Sequence, residues 1–231
     1  MTEVAIRNKE LLETLESFRH ELFSIEGVKD PVHHMWEPGD AKTRGQYYTS
    51  EQYLRDVWFK KYHNHTGFPE EHFSQPVGNM GEKDPDKFHA IAYKVKKEFP
   101  AVIGTHSNAL FNYYPPGGFV GWHTNWNAAA YQILFTWSET GDGYFRYYDK
   151  ETDSIVNHED KPGWQCRWYR FGRYSEPEHH CWHAAYAGCD RITLAYKFIN
   201  GPRELSNAYD ADYDRQAIAM RDAVIDDIET E

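Results

Sequence analysis

His123, His183 and Arg191 are the residues of this 231-residue chain whose types and order point most directly to chemistry. The stretch from Asn108 to Asn125, NALFNYYPPGGFVGWHTN, begins as an apolar and aromatic strand and breaks at Pro115-Pro116-Gly117-Gly118. It then resumes at Phe119-Val120 and ends in His123-Thr124-Asn125. In an extended chain residues i and i+2 face the same way, so His123 and Asn125 project together from one strand end. Two donors on one rigid element make a first ligand pair for a metal. His183, in a later His-Ala-Ala-Tyr run, is the candidate third donor. Arg191 opens the strand RITLAYKF just beyond it. A guanidinium inside a barrel must find an anion, because an unpaired buried charge is very costly, and it grips a carboxylate in two-point geometry. Beside a metal, the natural partner is the remote carboxylate of a small bound diacid.

Positioning these residues requires a sheet scaffold, and the second half of the chain reads that way. The expected strands are 102–114, 118–124, 131–138, 143–149, 164–171, 179–184 and 191–199, with Gly141-Asp142-Gly143 as a hairpin turn. Many short strands joined by turns predict a sandwich or barrel with helices packed outside. The first half supplies the helices. Ile6, Leu11, Leu12, Leu15, Phe18, Leu22 and Phe23 predict an amphipathic helix over 3–25. Thr49 and Gln52 have capping-box spacing before a helix to about Tyr62, in which Leu54, Val57, Trp58 and Lys61 share a face. Asp84-Pro85 opens another, with Phe88, Ile91, Ala92, Val95 and Phe99 as its buried stripe. Residues 27–45 read as loop, with Arg44 and Gln46 through Tyr48 as possible pocket residues. An acidic amphipathic helix is expected from about Asp210 to Ile228. The organisation is thus one domain over 1–231: helical and loop support in 1–100, a β core in 101–200, and a C-terminal helix in 201–231.

Composition sets the outer bounds. The 36 acids against 25 Lys and Arg give a net charge of -11, which argues against a nucleic-acid surface. Three irregularly spaced cysteines, Cys166, Cys181 and Cys189, form no disulfide framework and no CxxC pair, so free thiols in a reducing compartment are expected. The sequence shows no leader and no long apolar run, so the expectation is a soluble, cytoplasmic protein without membrane contact. The aromatic share of 16% predicts a ring-walled pocket or core. Trp122, Trp126, Trp137, Trp168 and Trp182 are read as core, with one or two on a substrate cavity. The pairs His33-His34 and His63-x-His65 are read as loop residues rather than ligands, His179-His180 as the loop before His183, and His106 as structural or as a support behind the ligands.

Tyr114-Pro-Pro-Gly-Gly, then His123-x-Asn125, Gly141-Asp-Gly-Tyr-Phe, His183 and Arg191, together resemble the iron(II)/2-oxoglutarate-dependent oxygenases, in a pattern similar to their prolyl-hydroxylase branch. The resemblance covers roughly 103–200. It implies a mainly β fold with flanking helices, a double-stranded β-helix or jelly roll. It also implies Fe(II) and 2-oxoglutarate as cofactors, and hydroxylation of an unactivated carbon of a small-molecule or amino-acid substrate. By position, His123 and His183 would ligate iron, Arg191 would anchor the distal carboxylate of 2-oxoglutarate, and Tyr114 and Thr136 would add contacts to it.

Asn125 departs from the pattern, which has a carboxylate there. Four readings stand. Asn125 ligates through its carbonyl oxygen; or water or halide takes the position; or Glu139, Asp142 or Glu178 swings in; or the site is inactive. Iron(II) with dianionic 2-oxoglutarate is neutral, so an amide in place of the acid lowers the cost of adding chloride. A halogenase is therefore the first alternative to an oxygenase, although Asn fills space that related halogenases leave open with Gly or Ala. A jelly-roll binding protein with a degenerate metal site is the second. The sequence leaves the substrate and the oligomeric state open.

Overall fold

A computed structural model describes residues 1–29, 38–61, 67, 69, 71–76, 85–105, 107–125, 131–171, 179–198 and 211–231. His33-His34, His63-Asn64-His65, His106, Trp126 and Glu178 lie outside the described residues.

Two antiparallel sheets form the scaffold. One has the strand order β1-β9-β6-β11-β4-β3 and the other β2-β5-β10-β7-β8. The strands are β1 (Thr2–Val4), β2 (His72–Phe73), β3 (Gln75–Pro76), β4 (Ser107–Tyr114), β5 (Gly118–His123) and β6 (Tyr131–Ser138). They continue with β7 (Gly143–Asp149), β8 (Ser154–Glu159), β9 (Gly163–Arg170), β10 (His183–Ala187) and β11 (Arg191–Lys197). Side chains alternate across each strand, so each sheet has an inner face and a helix-facing one. On β11, Arg191, Thr193 and Ala195 look inward, whereas Ile192, Leu194 and Tyr196 join the large core beneath the helices. The architecture is the mainly β jelly roll with flanking helices that the motifs imply.

Helix α1 (Lys9–Phe23) buries Leu11, Leu15, Phe18 and Leu22, a stripe at three- and four-residue steps. The Asn8 side chain accepts from the Leu11 N–H and caps it, worth about 1 kcal/mol. The expected helix over 3–25 is therefore too long. Residues 2–4 are instead a strand paired with β9, because Asn8 stops the helix from extending backwards.

Residues expected as loop form α2 (Pro38–Tyr48), which lies on the outer face of the second sheet with Tyr48 stacked on Phe119. Gly45 makes that approach possible, since a Cβ there would stand 2.9 Å from the Tyr186 ring. Arg44, Gln46, Tyr47 and Tyr48 thus belong to a helix and do not line the internal cavity. The cap before α3 (residues 51–61) is Ser50, accepting from the Tyr53 N–H; Thr49 bonds the Gly45 carbonyl instead.

Helix α4 (residues 85–103) buries Phe88, Ile91, Val95, Phe99 and Ile103. From Ile91 the stripe advances in strict fours, which on an α-helix drifts about 40° per step. A π turn at Lys94–Glu98 takes back part of that drift; another lies at Leu54–Trp58 in α3. Gly104, at φ 75, ends α4, so β4 begins at Ser107 rather than at 102. Finally, α5 (Ala211–Glu229) buries Ala217, Val224 and Ile228.

Further strands also differ from expectation: the short β2 and β3 fall outside every expected strand. β8 was not expected, because an edge strand reading Ser-Ile-Val-Asn-His-Glu buries no residue fully and carries little apolar alternation. The strand expected at 179–184 sits later, as β10.

Candidate metal and oxoacid site

His123 ends β5 and His183 opens β10, and the two are direct cross-strand partners. A bulge makes this possible. Between the His183–His123 and Ala185–Val120 pairs, β5 carries one residue more than β10. Strict alternation from Val120 would turn Trp122 inward and His123 outward. The extra residue reverses that, so Trp122 packs with Trp58 and Trp182 outside the barrel while His123 lines its interior. Gly121 permits the kink, because a Cβ there would lie 2.8 Å from the Glu71 carbonyl.

The two imidazoles sit with ring centroids 4.1 Å apart. Each places Nδ1 against a backbone carbonyl two residues earlier, Gly121 at 2.8 Å for His123 and Cys181 at 2.9 Å for His183. A carbonyl only accepts, so both Nδ1 atoms carry a proton; in the neutral ring that leaves the lone pair on Nε2, the tautomer a metal takes. Burial, followed by repulsion from the His123 ring whenever that ring is protonated, holds His183 well below the ordinary histidine range. Phe145 stacks on its ring at 5.4 Å and Phe171 tilts against it at 5.0 Å.

Both histidines and Asn125 line a cavity of about 230 Å³ whose walls also include Tyr114, Arg191 and Thr193. Arg191 is 2% exposed. Its Nε donates to Asp160 Oδ2 at 2.7 Å and its Nη1 to Thr193 Oγ1 at 2.8 Å, and the Tyr114 ring lies 5.0 Å from the guanidinium carbon. The anion that a buried arginine requires is thus partly supplied from within the protein. Burial raises the Tyr114 phenol above its ordinary value, so it remains a neutral hydroxyl. Thr136 is not on this cavity wall. It faces a small hollow behind it, shared with Gln165, Arg167 and Arg191.

Sequence reading missed that second layer. Arg167 is 5% exposed and holds Asp160 at 3.8 Å, while Gln165 donates to Asp160 and accepts from Arg167. In the sequence Asp160 sits in the polar turn HEDKPG, while Gln165 and Arg167 fall in the expected strand 164–171 with nothing to mark them as buried. Their alternation along β9 was the only available signal.

Other expectations fall away from the site. Glu139 and Asp142 belong to the turn beside Ala187 and Gly188, at the barrel end opposite the histidines, so neither can swing onto the pair. Among the described residues no cluster of three His, Cys, Asp or Glu side chains could hold a metal. His179 is exposed, and His180, though buried, is off the cavity wall. None of Trp122, Trp137, Trp168 and Trp182 lines the cavity; all four pack on helix-facing surfaces. No described helix is long and apolar enough to cross a membrane.

No protein-family model and no curated protein matches the chain. Among solved structures it is similar to the Escherichia coli ribosomal oxygenase YcfD, at 18% identity and a TM-score of 0.29, covering 55% of this chain and 39% of that one. It is similar also to a Pseudomonas putida prolyl-4-hydroxylase, at 14% identity and 0.30, covering 71% and 97%. A third is the Arabidopsis thaliana dioxygenase for auxin oxidation 1 bound to 2-oxoglutarate, at 13% and 0.34, covering 87% and 85%.

Proposed function

We propose that the chain is an iron(II)/2-oxoglutarate-dependent oxygenase that hydroxylates an unactivated carbon of a small-molecule or amino-acid substrate. One observation carries the reading: a single cavity has two imidazoles in the metal-binding tautomer on its wall, and a buried guanidinium on the same wall. The donor chemistry fits iron(II). His123 and His183 would hold it through Nε2, with the Asn125 amide oxygen in place of the usual carboxylate. An iron(II) bound there, with 2-oxoglutarate, would supply the activation of dioxygen.

The chain's own residues bind, orient and exclude water. Arg191 takes the distal carboxylate of the oxoacid, with Thr193 fixing one guanidinium nitrogen and Asp160 another. Tyr114 offers a neutral phenol on the same wall. Val120, Leu134, Phe145 and Phe171 keep the cavity apolar, so a reactive oxidant meets substrate rather than water. The overall reaction balances as substrate C–H plus dioxygen plus 2-oxoglutarate giving C–OH, succinate and carbon dioxide.

A neutral donor set also supports a second reading, a halogenase that returns chloride to the substrate carbon, because an amide leaves room in charge for one further anion. Succinate release from 2-oxoglutarate under air, with and without chloride, tests both. Oxygenase activity predicts iron-dependent succinate that needs no halide. A strict chloride requirement selects the halogenase. Protein that neither binds iron(II) nor turns over 2-oxoglutarate is a jelly-roll binding protein instead. Replacing Asn125 with Asp completes a two-histidine, one-carboxylate set and is expected to raise manganese(II) affinity by on the order of tenfold or more. Calorimetric titration reads that change.

A further inference from the structure

Buried charge at the Arg191 end of the cavity does not balance. Arg191 and Arg167 are 2% and 5% exposed, and the one carboxylate between them, Asp160, is 6% exposed with its side chain fully covered. Asp160 Oδ2 accepts from Arg191 at 2.7 Å, while Oδ1 faces Gln165 at 3.3 Å and Arg167 at 3.8 Å. Arg167 spends Nη2 on the Glu159 carbonyl and on Gln165 Oε1, and its buried Nε has no partner among the described residues. The nearby Glu3 is exposed and paired with Lys161. Among the described buried side chains here, two guanidiniums therefore share one carboxylate and carry one positive charge in excess; the Met1 amino group on the same hollow adds no negative charge. An uncompensated buried charge is costly until an anion arrives.

We infer that Arg167 is a specificity-determining residue: by drawing part of the Asp160 charge away from Arg191, it keeps Arg191 short of an anion and so selects a dicarboxylic over a monocarboxylic 2-oxo acid. The inference rests on the proposed function and deepens it. Arg167 lines the small hollow behind Arg191 rather than the main cavity, so it acts through Asp160 and through its field.

The test is anaerobic calorimetry with manganese(II), titrating 2-oxoglutarate and, in parallel, 2-oxobutyrate, which keeps the chelating end and lacks the distal carboxylate. Arg167→Gln brings the buried charge to zero. It is expected to weaken 2-oxoglutarate by on the order of tenfold while leaving 2-oxobutyrate unchanged. The double variant Arg167→Gln with Asp160→Asn restores one excess positive charge and is expected to recover the preference. A purely structural role for Arg167 would make the double variant worse and would weaken both acids alike. If Arg167→Gln does not fold, the double variant decides alone: a preference near wild type supports the inference, and its loss overturns it. Wild-type protein that binds neither acid overturns the proposed function and this inference together. Wild-type binding with an unchanged preference in Arg167→Gln overturns this inference alone.

Discussion

The geometry of His183 depends on a backbone carbonyl, two phenyl rings and burial, and each has a consequence for protonation. Its imidazole is held well below the ordinary value of 6.5, first by desolvation and then by His123. In the unfolded chain the same ring takes up a proton near its ordinary value, so below that pH the unfolded state binds more protons and folding stability falls. Metal-free protein is therefore expected to lose melting temperature as pH drops from about 7 to about 5, and His183→Asn to lose less over that window. Thermal unfolding across a pH series checks this; equal slopes would contradict it. His123, His183 and Arg191 were legible in the sequence because each opens or ends a strand at a recognisable spacing. Asp160 and Arg167 were not. A buried ion network looks, residue by residue, like the solvated charges of any turn, and only folding shows that the β8–β9 turn closes over Arg191.

At the scale of elements, the Pro115-Pro116-Gly117-Gly118 turn determines where β5 starts and hence where His123 points. Gly117 adopts φ 84, a left-handed conformation that costs most side chains energy. A Cβ on Gly118 would meet the Pro115 carbonyl at 2.7 Å and the Phe73 carbonyl at 2.9 Å, and backbone cannot step aside as a side-chain tip can. Gly118→Ala is expected to cost about 1–3 kcal/mol in chemical denaturation. It is also expected to weaken metal binding more than a remote substitution of equal stability cost, since it moves the strand that carries a ligand. The turn was legible from its Pro and Gly residues. The bulge after Val120 was not, because a β-bulge leaves no period of its own in the sequence; Gly121 is its only trace. α2 was hidden for a similar reason. Its sequence PGDAKTRGQYY has no apolar stripe, and what places it is the fit of Gly45 and Tyr48 against Phe119 and Tyr186.

Across the whole molecule, the chain carries a net charge of -11, whereas the buried group of Arg191, Arg167 and Asp160 is net positive. A dianionic oxoacid must cross a repelling field before it meets Arg191, so added salt is expected to speed its association while changing its dissociation little. Stopped-flow binding at low and physiological ionic strength reads this; slower association with added salt would contradict it. The alternation of strands with turns was enough to predict a sandwich or barrel, since two sheets closing over one apolar interior is what such a pattern can build; the jelly roll itself was implied by the resemblance of the motifs. The central claim is that the two imidazoles and the guanidinium serve one bound pair, a divalent ion and a keto-diacid. Anaerobic calorimetry of 2-oxoglutarate against wild-type protein and His183→Ala, each with and without manganese(II), tests it most directly. The account predicts one oxoacid per wild-type chain only when the metal is present, and none in the variant; binding that ignores both the metal and His183 would contradict it.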